Sequence, residues 1–306
     1  MHDINLIAFP GAPNLPIFAG LENGFFRRHG VNLLLETTPS SVYQFERLHA
    51  GECHIAGTAF DNVVAYREGH GAVALDGPLD VVAFMGATQI ELSLVADTTI
   101  RELGDLRGKT IAMDALATGF AFVLYHMLEA VDLTPDDYEL VAVGATPHRW
   151  ESVKNGEHAA TLTIEPFTTM ARVGGFPVLA ASTDCFEHYQ GGVFATRESW
   201  AASNDAACSG FVAGYLECLD WVCNEDNRAA CATILMQNMP AIDASGVDRV
   251  LDKVLSAKTG LSPAGQLSRA GIETVLGLRS RFHKDARQLA DLDSYLDLNY
   301  LPDALT

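Results

Sequence analysis

The chain has 306 residues, 48% of them hydrophobic and 8% aromatic, which suffices for one large or two medium domains with a full core and excludes a disordered chain. Twenty Lys and Arg stand against 39 Asp and Glu, a net charge of −19, which argues against nucleic acid or an anionic membrane as partner. No apolar run approaches the roughly 18 residues of a membrane span, so no membrane insertion is expected.

The opening MHDINLIAFPG has neither a basic start nor a long apolar stretch with a small-residue cleavage site. The chain is therefore expected to be cytoplasmic if Met1 is the native start, or periplasmic if a signal peptide has been removed. INLIAFP (4–10) reads as a strand ending at Pro-Gly. Asn14 offers an N-cap with Pro16 just inside the helix start, and Ile17, Phe18, Leu21 and Phe25 fall at helical spacing. Gly30 is expected to end this helix after Arg27, Arg28 and His29, and VNLLLET (31–37) is the next strand. Strand, helix and strand with short joints predict a parallel pair.

The unit repeats. Ser41 with Gln44 makes a capping-box pattern, Val42, Phe45 and Leu48 form one face, and Gly51 stops the helix. HIAGTAF (54–60) is a strand, followed by a helix over about 61–68 and by strands VVAFMGAT (81–88) and ELSLVAD (91–97). A second series comprises strand KTIAMD (109–114), a helix opened by Thr118-Gly119, strand YELVAVG (138–144), a helix from Thr146-Pro147 to Gly156, and strand AATLTIE (159–165). A helix begins at Pro166, strands PVLAAS (177–182) and GGVFATR (191–197) follow, and from about Ser203 the chain reads as helix with turns near 224, 240 and 260. The pattern predicts an α/β protein of two halves with a helical C-terminal tail.

Apparent motifs fail on context. GDLRGKT (104–110) has three residues where a phosphate loop needs four, and its strand follows instead of preceding. GHGAVA (69–74) lacks the preceding strand and the ribose acid of a dinucleotide fingerprint. KTG (258–260) has no S-x-x-K partner, and there is no HExxH or GxSxG. The six cysteines, Cys53, Cys185, Cys208, Cys218, Cys223 and Cys231, show no zinc spacing and read as free, mostly buried thiols. No metal and no cofactor is expected.

In open α/β sheets ligands lie beyond the carboxyl ends of the strands. This rule nominates Asn14, Ser41, Thr58, Phe60 and Asp61 from the first half, with Pro13, Thr38 and Ser40 beside them, Gln89 at the crossing, and Thr118, Gly119, Phe120, His148, Arg149 and Glu165 from the second. Asn14, Ser41 and Thr118 are helix starts, whose free N–H groups attract anions or merely receive caps. Gly119 is expected to let a ligand approach the backbone. One Arg among hydroxyls suits a small carboxylate, sulfonate or polar heterocycle better than a polyphosphate.

PNLPIFAGLENGFFRRHGVNLLLE (13–36) resembles the opening of the substrate-binding family of ABC importers for sulfonates, taurine and thiamine precursors, which begins with an apolar helix and a Gly-Phe-Phe element before a strand. LHAGECHIAGT (48–58), LGDLRGKTIAMD (103–114), VKNGEHAATLTIEP (153–166), GVFATRESWAASN (192–204) and the tail from GYLECLDWVCNEDNRAACATIL to LDSYLDLNYLPDAL are similar too, so the resemblance spans nearly the whole chain. It implies a type II periplasmic-binding-protein fold, each lobe a mixed, mostly parallel sheet flanked by helices, with lobe 1 about 1–88 plus 198–306 and lobe 2 about 89–197. It implies a small organic ligand between the lobes and an ABC permease as partner. His54 and His158-Ala159 depart from the family's usual Asp and Asp-Ala, with lobe packing the expected consequence. The same scaffold serves cytosolic enzymes, so the alternative is a decarboxylase or hydrolase of a small aromatic or heterocyclic acid, with His148, Glu165 and Asp61 as acid–base candidates.

Overall fold

The computed structural model describes residues 1–89, 91–285, 288–301, 303 and 305–306. The sequence reading of the tail also takes in positions 286, 287, 302 and 304, which lie outside the described residues.

Strand β1 (His2–Ala8) leads through a short turn into α1 (Leu15–Asn23) and α2 (Phe25–Arg28), then β2 (Val31–Thr37). The single helix expected up to Gly30 is two, because Gly24 takes a left-handed conformation (φ 71°) and closes α1 six residues early. Next come α3 (Ser41–Ala50), β3 (Ile55–Ala59), α4 (Phe60–Arg67), β4 (Val81–Thr88), β5 (Ser93–Ala96), β6 (Thr110–Met113), α5 (Gly119–Glu129) and β7 (Glu139–Ala142). They are followed by α6 (Thr146–Lys154), β8 (Ala160–Thr163), α7 (Phe167–Val173), β9 (Val178–Ala181), α8 (Ser182–Cys185) and β10 (Gly192–Arg197). The tail holds α9 (Glu198–Ala201), α10 (Asp205–Cys223), α11 (Arg228–Asn238), α12 (Val247–Val254) and α13 (Arg269–Phe282).

The strands form two five-stranded mixed sheets, ordered β2-β1-β3-β10-β4 and β7-β6-β8-β5-β9. In the first, β1 runs parallel to β2 and β3, while β10 runs antiparallel to β3 and β4. The second repeats this plan, with β6 parallel to β7 and β8, and β5 antiparallel to β8 and β9. The sequence boundary at 197 put β10 with the second half; its pairing places it in the first sheet, because an apolar run does not encode strand direction.

Each sheet is covered on both faces. Ile4, Phe84 and Phe194 pack with Phe26, Phe211 and Tyr215 on one side of the first sheet, and Ile7, Ala56 and Val193 pack with Phe45, Val63 and Ile272 on the other. Against the second sheet, Phe122, Leu124 and Met127 of α5 join Leu94, Ile111 and Leu162, and Leu278 of α13 enters the same cluster. Helix α13 thus packs on both halves. Cys53, Cys208, Cys218 and Cys231 are buried free thiols, Cys185 is half-buried and Cys223 exposed. Among the described residues no helix is long and apolar enough to cross a membrane.

Two local expectations change. The cap of α3 is Ser40, not Ser41: Ser40 is extended (φ −165°) and its side chain accepts from the Tyr43 N–H. Replacing Ser40 with Ala is expected to cost about 1 kcal/mol, read as a lowered denaturation midpoint at unchanged slope. Asn14 precedes α1 but makes no cap; its amide donates to the Phe9 carbonyl at 2.8 Å and fixes the turn after β1. The departing histidines are packing residues. His54 Nδ1 accepts from Asn5 N–H at 3.1 Å and its ring stacks on Trp200, while His158 bonds Thr110 Oγ1 at 3.1 Å.

Candidate functional site

The strand ends of the two sheets face each other across a cleft that is closed. The Ala145 N–H donates to Pro39 O at 2.8 Å, and the Ala12 N–H to Glu165 O at 3.1 Å. The Ser41 N–H donates to both carboxylate oxygens of Asp114 at 3.2 Å, so the N-terminus of α3 is met by an anion from the opposite half.

Behind these contacts lies a cavity with about 100 Å³ open to the centre of a water-sized molecule. The first sheet contributes the turn Phe9, Gly11, Pro13 and Asn14, then Thr58 and Asn62, the β4 end Ala87 and Thr88, and the β10 start Gly192 to Phe194. The second contributes Asp114, the start of α5 at Thr118, Gly119 and Phe120, Thr146 and Arg149 of α6, and Ile164. The exposed wall surface is mainly apolar, with polar side chains from both sheets set into it.

Two charged residues line the cavity, the carboxylate of Asp114 and the buried cation Arg149. It is 2% exposed, and its guanidinium donates to Leu162 O at 2.8 Å, Thr146 Oγ1 at 2.8 Å and Thr161 Oγ1 at 3.2 Å. Its Nε has no partner among the described residues. Burial pulls its pKa down to about 10, partly offset by Asp114, so it remains a cation at neutral pH. The Phe120 ring lies 6.0 Å from the guanidinium carbon. Three neutral acceptors hold the fork in place without cancelling its charge, an arrangement that leaves it able to bind an anion.

Of the residues nominated from sequence, Pro13, Asn14, Thr58, Thr118, Gly119, Phe120 and Arg149 line this cavity and the others do not. Thr118 precedes α5, and its hydroxyl donates back to Ala115 O at 3.3 Å. The missing side chain of Gly119 makes room for Asp61, since a Cβ there would lie 2.6 Å from Asp61 Cβ. Asp61 itself is 1% exposed and held in a two-pronged ion pair with Arg279, both bonds at 2.7 Å. Phe60 is core, packed edge-on against Tyr295. Ser41 meets the site only through its N–H, Gln89 donates to Ala257 O at 3.3 Å, and His148 is exposed.

Glu165 lines a smaller neighbouring cavity with Glu91, Ser93 and Lys253 and accepts from the Thr169 N–H at 3.2 Å. Its carboxyl is pushed above the ordinary range by burial, which outweighs that hydrogen bond and Lys253. A raised folded pKa means that the native state binds this proton more tightly. Stability from Glu165 therefore falls as pH rises from the ordinary glutamate value through the raised one. Glu165→Gln is expected to remove that loss and raise the melting temperature at pH 7 but not at pH 4, compared by scanning both proteins at both pH values.

The structure does not bring His148, Glu165 and Asp61 together as an acid–base group. Sequence reasoning also missed Thr88 and Asp114, although Thr88 ends β4 and Asp114 follows β6, so the crevice rule would have reached them. Gly192 to Phe194 gave no such signal, because they begin an antiparallel strand.

The chain matches the sequence model of the NMT1-like family over residues 3–236. No curated protein matches it. Among solved structures, a protein of Bordetella bronchiseptica RB50 is similar at 16% identity and a TM-score of 0.83, covering 99% of this chain and 97% of that one. A Candida albicans gene product described as having the generic periplasmic binding protein fold gives 11% and 0.73, with 97% and 96% covered. The alkanesulfonate-binding protein SsuA from Xanthomonas axonopodis pv. citri, bound to MOPS, gives 16% and 0.71, with 92% and 90% covered. At these identities the likeness establishes the fold, that of the periplasmic binding proteins.

Proposed function

Because the chain belongs to the NMT1-like family, with the model spanning residues 3–236, we propose that it is a solute-binding protein that traps a small organic acid or sulfonate between two hinged lobes for uptake through an ABC permease. The carrying observation is Arg149: a buried cation whose Nε is unpartnered, at the edge of an apolar cavity in a closed cleft. The ligand's anionic head would sit against Arg149 and the start of α5, and its apolar body against Phe9, Phe120 and Phe194. The alkanesulfonate ligand class named for the Xanthomonas relative supports this reading.

The proposed lobes are residues 1–88 with 192–306, and about 93–185, with the crossings after β4 and before β10. Closure would work by differential affinity, the ligand holding the closed state through contacts to both lobes. Asn14, Thr58, Thr118 and Phe120 are the proposed ligand contacts besides Arg149.

The test is a panel of small aliphatic and aromatic carboxylates, sulfonates and neutral pyrimidines, read by melting shift and by the mass of the recovered compound. A carboxylate or sulfonate that raises the melting temperature and returns unchanged is the expected result. Stabilisation by neutral compounds alone would overturn the anion assignment, and a compound returned with altered mass would make the protein an enzyme.

A further inference from the structure

Outside the cleft, two helices end at the same place. Helix α4 ends at Arg67, and the His70 N–H returns to the Ala65 carbonyl at 2.7 Å. Helix α13 ends at Phe282, and the His283 N–H bonds Arg279 O at 3.0 Å. The two imidazoles face each other with ring centres 4.5 Å apart and planes 16° from parallel. The Asp285 backbone N–H donates to His283 Nδ1 at 3.3 Å. One donor atom from each of His70, His283 and Asp285 lies within 4.8 Å of the others.

We propose that His70, His283 and Asp285 form a binding site for a first-row divalent cation of the zinc type, which fastens the end of α13 to the end of α4. Two imidazoles and one carboxylate are a donor set that suits zinc, nickel or copper and not calcium or magnesium, which take oxygen ligands. Tetrahedral zinc with bonds near 2.0–2.1 Å needs donors roughly 3.4 Å apart. Binding takes a closing of the donors from 4.8 Å and a turn of at least one imidazole out of the stacked arrangement, so that both in-plane lone pairs meet at the ion; the long Asp285 hydrogen bond costs little to give up. Both helices present their carbonyl ends here, and that end of a helix favours a cation. Two cations face His283, Arg279, which is paired with Asp61, and Lys284 beside it in the chain. His70 is half-buried and Asp285 exposed, so a metal can enter from solvent and keep a water as fourth ligand.

The site would matter to the halves' relation. His283 packs edge-on against Phe122 of α5, with ring centres 6.4 Å apart, and Phe282 stacks on the same ring. A metal fixing α13 to α4 would thereby stiffen the contact between the two sheets. This inference stands apart from the solute-binding reading.

The experiment is equilibrium dialysis of chelator-treated protein against zinc and cobalt, with calcium and magnesium as controls, beside His70→Gln and Asp285→Asn. Both substituted side chains reach solvent, so unchanged circular dichroism and metal-free melting will show that the variants are folded. One equivalent of zinc is expected for the parent protein, with a melting rise, and at least a tenfold loss of affinity in each variant. Zinc binding that is absent, or is unchanged in both variants because thiols elsewhere hold the metal, would overturn the assignment.

Discussion

Asp61→Ala is expected to destabilise the protein by about 3–5 kcal/mol, the cost of leaving a fully buried arginine without its counter-charge. Asp61 and Arg279 are each 1% exposed and meet through two 2.7 Å bonds. Arg279 Nη1 has no partner among the described residues, so it cannot absorb a second loss. The same guanidinium donates to Ala117 O at 3.2 Å, just before α5, so its displacement loosens the two halves from each other as well. Denaturant titration measures the effect. The double variant Asp61→Leu with Arg279→Met removes both charges and should recover most of the loss, since replacing a whole buried pair by apolar groups is often near neutral. A single variant losing less than about 1 kcal/mol would show that water reaches the guanidinium and that the pair is not buried in solution.

Arg149→Met is expected to weaken binding of the anionic ligand by about a hundredfold or more, near 2.7 kcal/mol. Arg149→Lys should restore little, because an ammonium cannot reproduce a fork held by Thr146, Thr161 and Leu162 while offering Nε to the ligand. The variant also removes one donor from the Leu162 carbonyl, which the Thr161 hydroxyl still reaches at 3.3 Å, at a cost of about 1 kcal/mol of stability, so affinity has to be measured by calorimetry well below its melting temperature. Retained affinity in the Met variant would remove Arg149 from the ligand and leave the α5 start as the anion site.

Much of the fold was legible because it rests on short-range rules. The apolar runs at 31–37 and 81–88 coincide with β2 and β4, and the glycines at 30, 51 and 156 do adopt the positive φ their places demanded. Where two neighbouring residues satisfied the same rule, the sequence could not choose: Ser40 and Ser41 are both hydroxyl caps on paper, and backbone dihedrals selected Ser40. The Asp61–Arg279 pair joins positions 218 apart, and no local pattern announces it. The site was half legible. Thr118, Phe120 and Arg149 follow from strand ends, whereas the part played by Gly119 depended on which side chain would fill the space beside it.

The position of β10 fixes an order of assembly. It is the strand that joins β4 to β3, yet it emerges from synthesis after all of β5 to β9. Gly192 donates to Thr88 Oγ1 across 104 positions, so this ladder closes a long loop late. The second sheet is contiguous in the chain and depends on no strand outside it. It can fold while the ribosome is still at work, leaving β3 and β4 with open edges that a nascent chain must shelter until β10 arrives.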